Sequence, residues 1–126
     1  MMNEKSAIEV EATSVFNRNI RRLTKKYRNI RKDIQPVIEQ LERGELLGDR
    51  LSGLDYLVFK LRVRNSDIQK GKSGGYRLIY YLKISTTIIL LTIYSKSEQD
   101  DIAVSDLQQI IGAYEQRAIE DEENIN

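Results

Sequence analysis

The chain has 126 residues and contains neither histidine nor cysteine. Without histidine it lacks the usual general base, the usual proton shuttle and the commonest metal ligand. Any catalysis must rest on Lys, Arg, Tyr or carboxylates. Without cysteine there is no disulfide framework and no thiolate metal site, which fits a reducing, cytoplasmic setting. The carboxylates are dispersed, so no metal and no other cofactor is expected. The longest apolar run, Ile88 to Leu91, is far too short to cross a membrane. The opening residues, Met1 to Lys5, carry no apolar segment of the signal-peptide kind. No G-x-S-x-G and no H-E-x-x-H motif occurs. Gly71-Lys72-Ser73 copies the end of a nucleotide-binding P-loop, but Ser66 stands where that motif needs a glycine and a strand, not a helix, follows.

What remains is an ordinary globular composition, 40% hydrophobic and 31% charged, and a length that suits one domain with a real core. The formal net charge of +1 hides an asymmetry. Residues 1–96 hold 19 Lys and Arg against 10 Asp and Glu, a balance of +9; residues 97–126 hold 1 against 9, a balance of −8. The basic body is the electrostatic footprint of a nucleic-acid binder. The acidic end either folds back on that surface or keeps the chain soluble.

The sharpest local feature is Lys70-Gly-Lys-Ser-Gly-Gly-Tyr-Arg77, a cationic, glycine-rich turn running into an apolar strand. Glycines there permit positive φ and close backbone approach to an anion. Lys70, Lys72, Gly74 and Gly75 are therefore candidate contacts to RNA. Upstream, Lys60, Arg62 and Arg64 alternate along a strand. Alternate residues share a face, so these cations form a row at roughly 6.6 Å spacing, suited to regularly spaced phosphates.

The wider pattern predicts the order β-α-α-β-β-β-α, an α+β domain spanning residues 1–126, with residues 1–6 and 118–126 flexible. Ile8 to Ala12 reads as a short edge strand. Thr13 or Ser14 caps a helix whose core stripe is Phe16, Ile20, Leu23, Tyr27 and Ile30. Eight cations and no acid lie between Asn17 and Lys32, forming either a solvated face or a surface for an acidic partner or RNA backbone. Asp33 caps a second helix that tolerates Pro36 in its first turn and stops at Gly44. Residues 46–53 read as a loop. Three strands follow: Leu57–Arg64 with Leu57, Phe59, Leu61 and Val63 inward, Tyr76–Ile84, and Thr87–Ser95. The last is apolar on both faces and so central. Ser85 to Thr87 is too short for a crossover, which makes the last two strands antiparallel. A final helix from about Ser105 carries Leu107, Ile110, Ile111 and Tyr114.

Four collinear blocks carry a family resemblance: Phe16 with Leu23-Thr-Lys-Lys-Tyr27; Lys60-Leu-Arg-Val63; Lys70 to Tyr81; and Leu90 to Gln99 followed by Asp101-Ile102. Over nearly its whole length the chain resembles the RelE/ParE superfamily of bacterial toxins from type II toxin–antitoxin modules. Many RelE relatives carry a further arginine and a C-terminal tyrosine. Here Ser97, Gln99 and an acidic tail stand instead, which resembles the HigB-like branch. The resemblance implies a RelE-like fold, with an N-terminal strand and helical hairpin on a small antiparallel sheet and a C-terminal helix. It implies a cognate antitoxin as partner, its toxin-binding segment acidic and apolar. It implies cleavage of mRNA on the ribosome and hence inhibition of translation. Arg77 matches the family's arginine at the scissile phosphate, Lys60 and Arg62 match a basic strand pair, and Tyr94 and Lys96 match a downstream block. Two other activities are open on this fold: ParE-like inhibition of DNA gyrase, and antitoxin binding without catalysis.

The chemistry is consistent with the endonuclease expectation. RNA carries its own nucleophile, the 2′-hydroxyl. A protein need only align it, offset charge on the phosphorane and move protons. Arg77 is the bidentate donor, Lys60 the base candidate because two cations crowd it, and Tyr94 a stacking platform or proton donor. Tyr76, Tyr80, Tyr81 and Tyr94 read equally as sheet packing.

Overall fold

The computed structural model describes residues 8–68 and 75–125. In chain order the elements are β1 (Glu9–Ala12), α1 (Ser14–Lys26), α2 (Ile30–Glu42), β2 (Asp49–Arg50), β3 (Leu57–Val63), β4 (Tyr76–Ile84), β5 (Thr87–Ser95) and α3 (Val104–Ile125). The strands form one sheet in the order β1-β5-β4-β3-β2. β1 pairs parallel with β5, and the other pairings are antiparallel. The sheet is therefore mixed. The helical hairpin between β1 and the rest of the sheet is the crossover that a parallel pairing requires.

Thr13 starts α1. Its Oγ1 accepts the Phe16 N–H at 3.0 Å and donates to the Leu91 carbonyl at 2.8 Å. One hydroxyl thus caps the helix and ties it to β5. Phe16, Ile20 and Leu23 are buried as their spacing predicts. The helix stops earlier than that stripe implies. Tyr27 leaves helical geometry (φ −124°, ψ 93°) and Ile30 opens α2. Both stay buried, and the Tyr27 ring meets Tyr76 edge-on at 5.8 Å. The apolar spacing runs on through a chain reversal because both sides of the turn face the same core.

Asp33 is not the cap of α2. Asn29 holds that position, and its side chain accepts no capping bond from the helix. The caps are exchanged across the fold. Asp67 accepts the Asn29 N–H and side-chain amide, both at 2.9 Å, and Asp33 accepts the Ser66 N–H at 2.9 Å. This reciprocal pair pins the segment after β3 onto the start of α2.

Two cores result. One lies between the hairpin and the sheet, with Leu23, Ile30, Leu41, Leu78, Tyr80 and Ile88 among its members. The other lies under α3, where Leu107 and Ile111 meet Val58, Ile79, Tyr81, Ile89 and Leu91. Fully burying a Leu or Ile stabilises by about 1.5–3 kcal/mol, so neither layer is decorative. β5 is buried on both faces as expected. On β3, Phe59, Leu61 and Val63 face the core as alternation predicts, but Leu57 is 37% exposed, and Val58 is buried on the opposite face. α3 crosses that face, and β3 therefore needs apolar groups on both sides.

Within the loop at residues 46–53, β2 pairs with β3 through Asp49↔Lys60 and Arg50↔Phe59. α3 continues through Ile125, beyond the point where the acidic sequence suggested it fades. Tyr114 and Tyr81 anchor it, donating to Glu11 and Glu115 respectively. Residues 1–6, expected to be flexible, lie outside the described residues. No helix is long and apolar enough to cross a membrane among those described.

Candidate functional site

Strand register assembles the site. Arg62 on β3 sits opposite Arg77 on β4, and Arg77 opposite Tyr94 on β5. Adjacent strands lie about 4.8 Å apart, so the three residues stand abreast over roughly 10 Å. Lys60 lies two residues along β3 on the same face as Arg62, opposite Ile79. Exposed Arg64 continues the line just past the strand. Two arginines directly opposed across a ladder repel one another. Among the described residues no carboxylate lies within 4.0 Å of Arg62, Arg64 or Arg77. Such a pair persists at a cost that an anion between the two guanidinium groups would remove.

Arg77 is half-buried and donates from Nη1 to its neighbour's carbonyl, Tyr76 O, at 3.3 Å. That bond steadies the guanidinium and leaves most of its five donors for a ligand. Tyr94 is 2% exposed, which removes its ring as a stacking platform and leaves the hydroxyl. Burial first, and then Asp101, push that phenol up to about 12. At neutral pH Tyr94 is therefore a proton donor. Tyr76, Tyr80 and Tyr81 are fully buried and belong to the sheet's packing.

Asp101 was not foreseen as part of this constellation. Its Oδ1 accepts Lys60 Nζ at 3.2 Å, the Tyr94 hydroxyl at 3.4 Å and the Ile102 N–H at 2.9 Å. The Ile102 N–H, and next the Lys60 ammonium, hold this carboxyl below the usual carboxylate range. Lys60 thus meets an acid, not only the two arginines that crowd it in sequence. While that bond is made, its amine is a donor rather than a base. Lys96 donates to Asp100, at 2.6 Å to the carboxylate and 3.0 Å to the backbone carbonyl. Glu98 takes Arg22 and Lys26 from α1, at 3.3 and 3.1 Å. In the sequence these acids register only as part of the acidic end. The available clue is that they follow Lys96 and the end of β5 within a few residues.

Gly75 has a structural role in the sheet. Its φ is +92°, and a Cβ there would stand 2.7 Å from the Val63 carbonyl oxygen. Its own carbonyl accepts the Lys96 N–H at 3.0 Å. The glycine permits β3, β4 and β5 to close together, and its space is filled by protein. Lys70, Lys72 and Gly74 lie outside the described residues.

Two clefts, of about 690 and 460 Å3, lie beside β1 at the other edge of the sheet. Neither is lined by Lys60, Arg62, Arg77 or Tyr94. A polymeric strand binds along an open surface and needs no enclosed cavity, which makes the register-built row and not either cleft the candidate site. The row can hold a phosphate between two guanidinium groups beside a protonated phenol and an amine. Compared with known families, residues 13–125 match the model described as the RelE toxin of the RelE/RelB toxin–antitoxin system.

Proposed function

Since the chain belongs to the RelE toxin family, and is thus a toxin of a toxin–antitoxin system with an antitoxin as its partner, we propose that it is a metal-independent endoribonuclease that cuts mRNA on the ribosome and so stops translation in the cytoplasm. The observation that carries this reading is the Arg62–Arg77 opposition beside Tyr94, with no carboxylate within 4.0 Å of either arginine among the described residues. The departures at Ser97 and Gln99 support a place in the HigB-like branch.

In this reading the 2′-oxygen attacks the adjacent phosphorus as the bond to the 5′-oxygen breaks. Arg77 and Arg62 hold the nonbridging oxygens, whose charge rises in the phosphorane, so these contacts strengthen where they lower the barrier. Tyr94, protonated at neutral pH, gives a proton to the departing 5′-oxygen. Lys60 takes the 2′-hydroxyl proton only as the neutral amine, after its bond to Asp101 is released and its own extra proton has passed to solvent, because an ammonium has no lone pair. Lys96 and Arg64 extend the contact to neighbouring phosphates, with Lys70, Lys72 and Gly74 proposed to do the same. Gly75 acts through backbone closure.

Mapping 5′ ends of transcripts after expression tests the proposal. New ends should appear in translated messages and vanish with Arg77→Ala. Unchanged transcripts alongside a block in DNA supercoiling would turn the assignment to gyrase inhibition. Neither effect, with antitoxin binding intact, would leave a regulatory protein.

A further inference from the structure

Three carboxylates within four residues each meet a cation of the basic surface. Glu98 pairs with Arg22 and Lys26 at 3.3 and 3.1 Å, Asp100 with Lys96 at 2.6 Å, and Asp101 with Lys60 at 3.2 Å. The pairs reach across α1, β3 and the end of β5. They contribute little to holding the fold together. The Asp100 and Asp101 side chains are 92% and 66% exposed, and ion pairs so exposed are weak. Their effect is on charge placement. Carboxylates and phosphates compete for the same lysine and arginine donors, and here carboxylates hold the positions a strand of phosphates would take.

We propose that residues 98–101 form an acidic strap that covers the basic track as an internal stand-in for phosphates, and that an incoming RNA strand must displace it. The inference rests on the RNA-binding reading of that track. The segment is tethered at both ends. Glu98 and Gln99 donate their N–H groups to the Ser95 carbonyl, each at 3.0 Å, and half-buried Ile102 precedes the start of α3. Between the tethers Asp100 and Asp101 face water, so rotation of their side chains uncovers Lys96 and Lys60 without moving a core residue, Asp101 giving up its bonds to the Ile102 N–H and the Tyr94 hydroxyl as it turns. Arg62 and Arg77 stay uncovered, which leaves a landing point for the first phosphate.

The test is the triple substitution E98Q/D100N/D101N against a charge-matched control, D121N/E122Q/E123Q, near the end of α3. Each changes the formal net charge from +1 to +4, and the control residues pair with none of the strap's cations. The probe is a fluorescent, 2′-O-methylated oligouridylate of about 12 nucleotides, within the usual span of a single-strand groove, titrated between about 50 and 200 mM salt. The strap variant should bind at least about 10-fold tighter than the native protein and show a steeper salt dependence, whereas the control should gain no more than about 3-fold from long-range charge alone. Equal gains in the two triples, or no gain in the strap variant, would overturn the strap. So would D101N with unchanged affinity and a slower cut on a ribosome-bound message, which would make Asp101 a positioning residue. If no form binds the RNA probe, it is the RNA reading that fails. The strap is then decided by heparin: later elution of the strap triple than of the control upholds it, and co-elution overturns it.

Discussion

Arg77→Ala is the perturbation with the clearest arithmetic. The side chain is half-buried, held at one nitrogen by Tyr76 O and opposed by Arg62. Removing a preorganised donor to a developing oxyanion typically costs about 10²–10³ in turnover, or about 3–4 kcal/mol of barrier. The ground state loses far less, because Arg62 and Arg64 remain, and one phosphate contact to a single strand contributes about 0.7 to the salt slope. Stability moves the other way. Relief of the like-charge pair returns about 0.2–1 kcal/mol, and alanine's weaker strand preference takes back a similar amount on a scale spanning about 1 kcal/mol. The variant should therefore melt within a few degrees of the native protein and bind a noncleavable RNA within several-fold. It should cut a ribosome-bound message at least about 100-fold more slowly. Arg77→Lys keeps the charge but loses the fork, and should recover binding more than turnover. Single-turnover cleavage, anisotropy and a thermal melt read the three quantities separately. Native turnover in Arg77→Ala would refute the phosphate clamp, and loss of fold with loss of activity would reassign Arg77 to structure.

Other perturbations separate chemistry from scaffold. Lys60→Ala and Arg62→Ala should each slow cleavage by a factor on the order of 10–1000, with primer extension or single-turnover assays as the check. The cut RNA should end in a 2′,3′-cyclic phosphate; cleavage lost to a chelator under conditions that keep ribosomes intact would refute the metal-free route. Thr13→Ala removes both the α1 cap and the tie to β5, so it should cost about 1–3 kcal/mol by denaturant melt, with Thr13→Ser largely neutral. Gly75→Ala forces a side chain onto a positive φ against Val63 O. It should destabilise by roughly 1–3 kcal/mol, measured by the same melt and independently of any RNA. Association with the antitoxin should slow as salt rises if its docking segment is acidic, a stopped-flow measurement that an indifferent rate would answer in the negative.

Much of the architecture could be read from residue patterns because the forces that set it are local. The stripe Phe16, Ile20, Leu23 has helical spacing, and all three residues are buried on α1. The two-residue link after Ile84 could make only a hairpin, and β4 and β5 pair antiparallel. The row Lys60, Arg62 and the arginine after the glycines were named as one site, and register brings them together. Where the pattern misled, a distant element had intervened. Tyr27 and Ile30 keep helical spacing across a turn because one core receives both. Asp33 resembles a cap in sequence, yet Asp67 from beyond β3 supplies that bond. Val58 is buried because α3 lies over the face that alternation assigned to water.

The sequence by itself determined the helix and strand periods, the lack of imidazole and thiol chemistry, and the cations that can meet a phosphate. These follow from residue identity and from spacing along a few turns. Only the tertiary structure decided who faces whom. Arg62 opposes Arg77, 15 residues further along the chain, through a strand register set by core packing, a scale on which composition is silent. The same holds for the acidic segment at residues 98–101. Read along the chain it belongs to a negatively charged end. Folded, its carboxylates lie against Lys60, Lys96, Arg22 and Lys26, because the turn after β5 returns the chain over the sheet before α3 begins, and electrostatic energy depends on distance in space rather than along the chain.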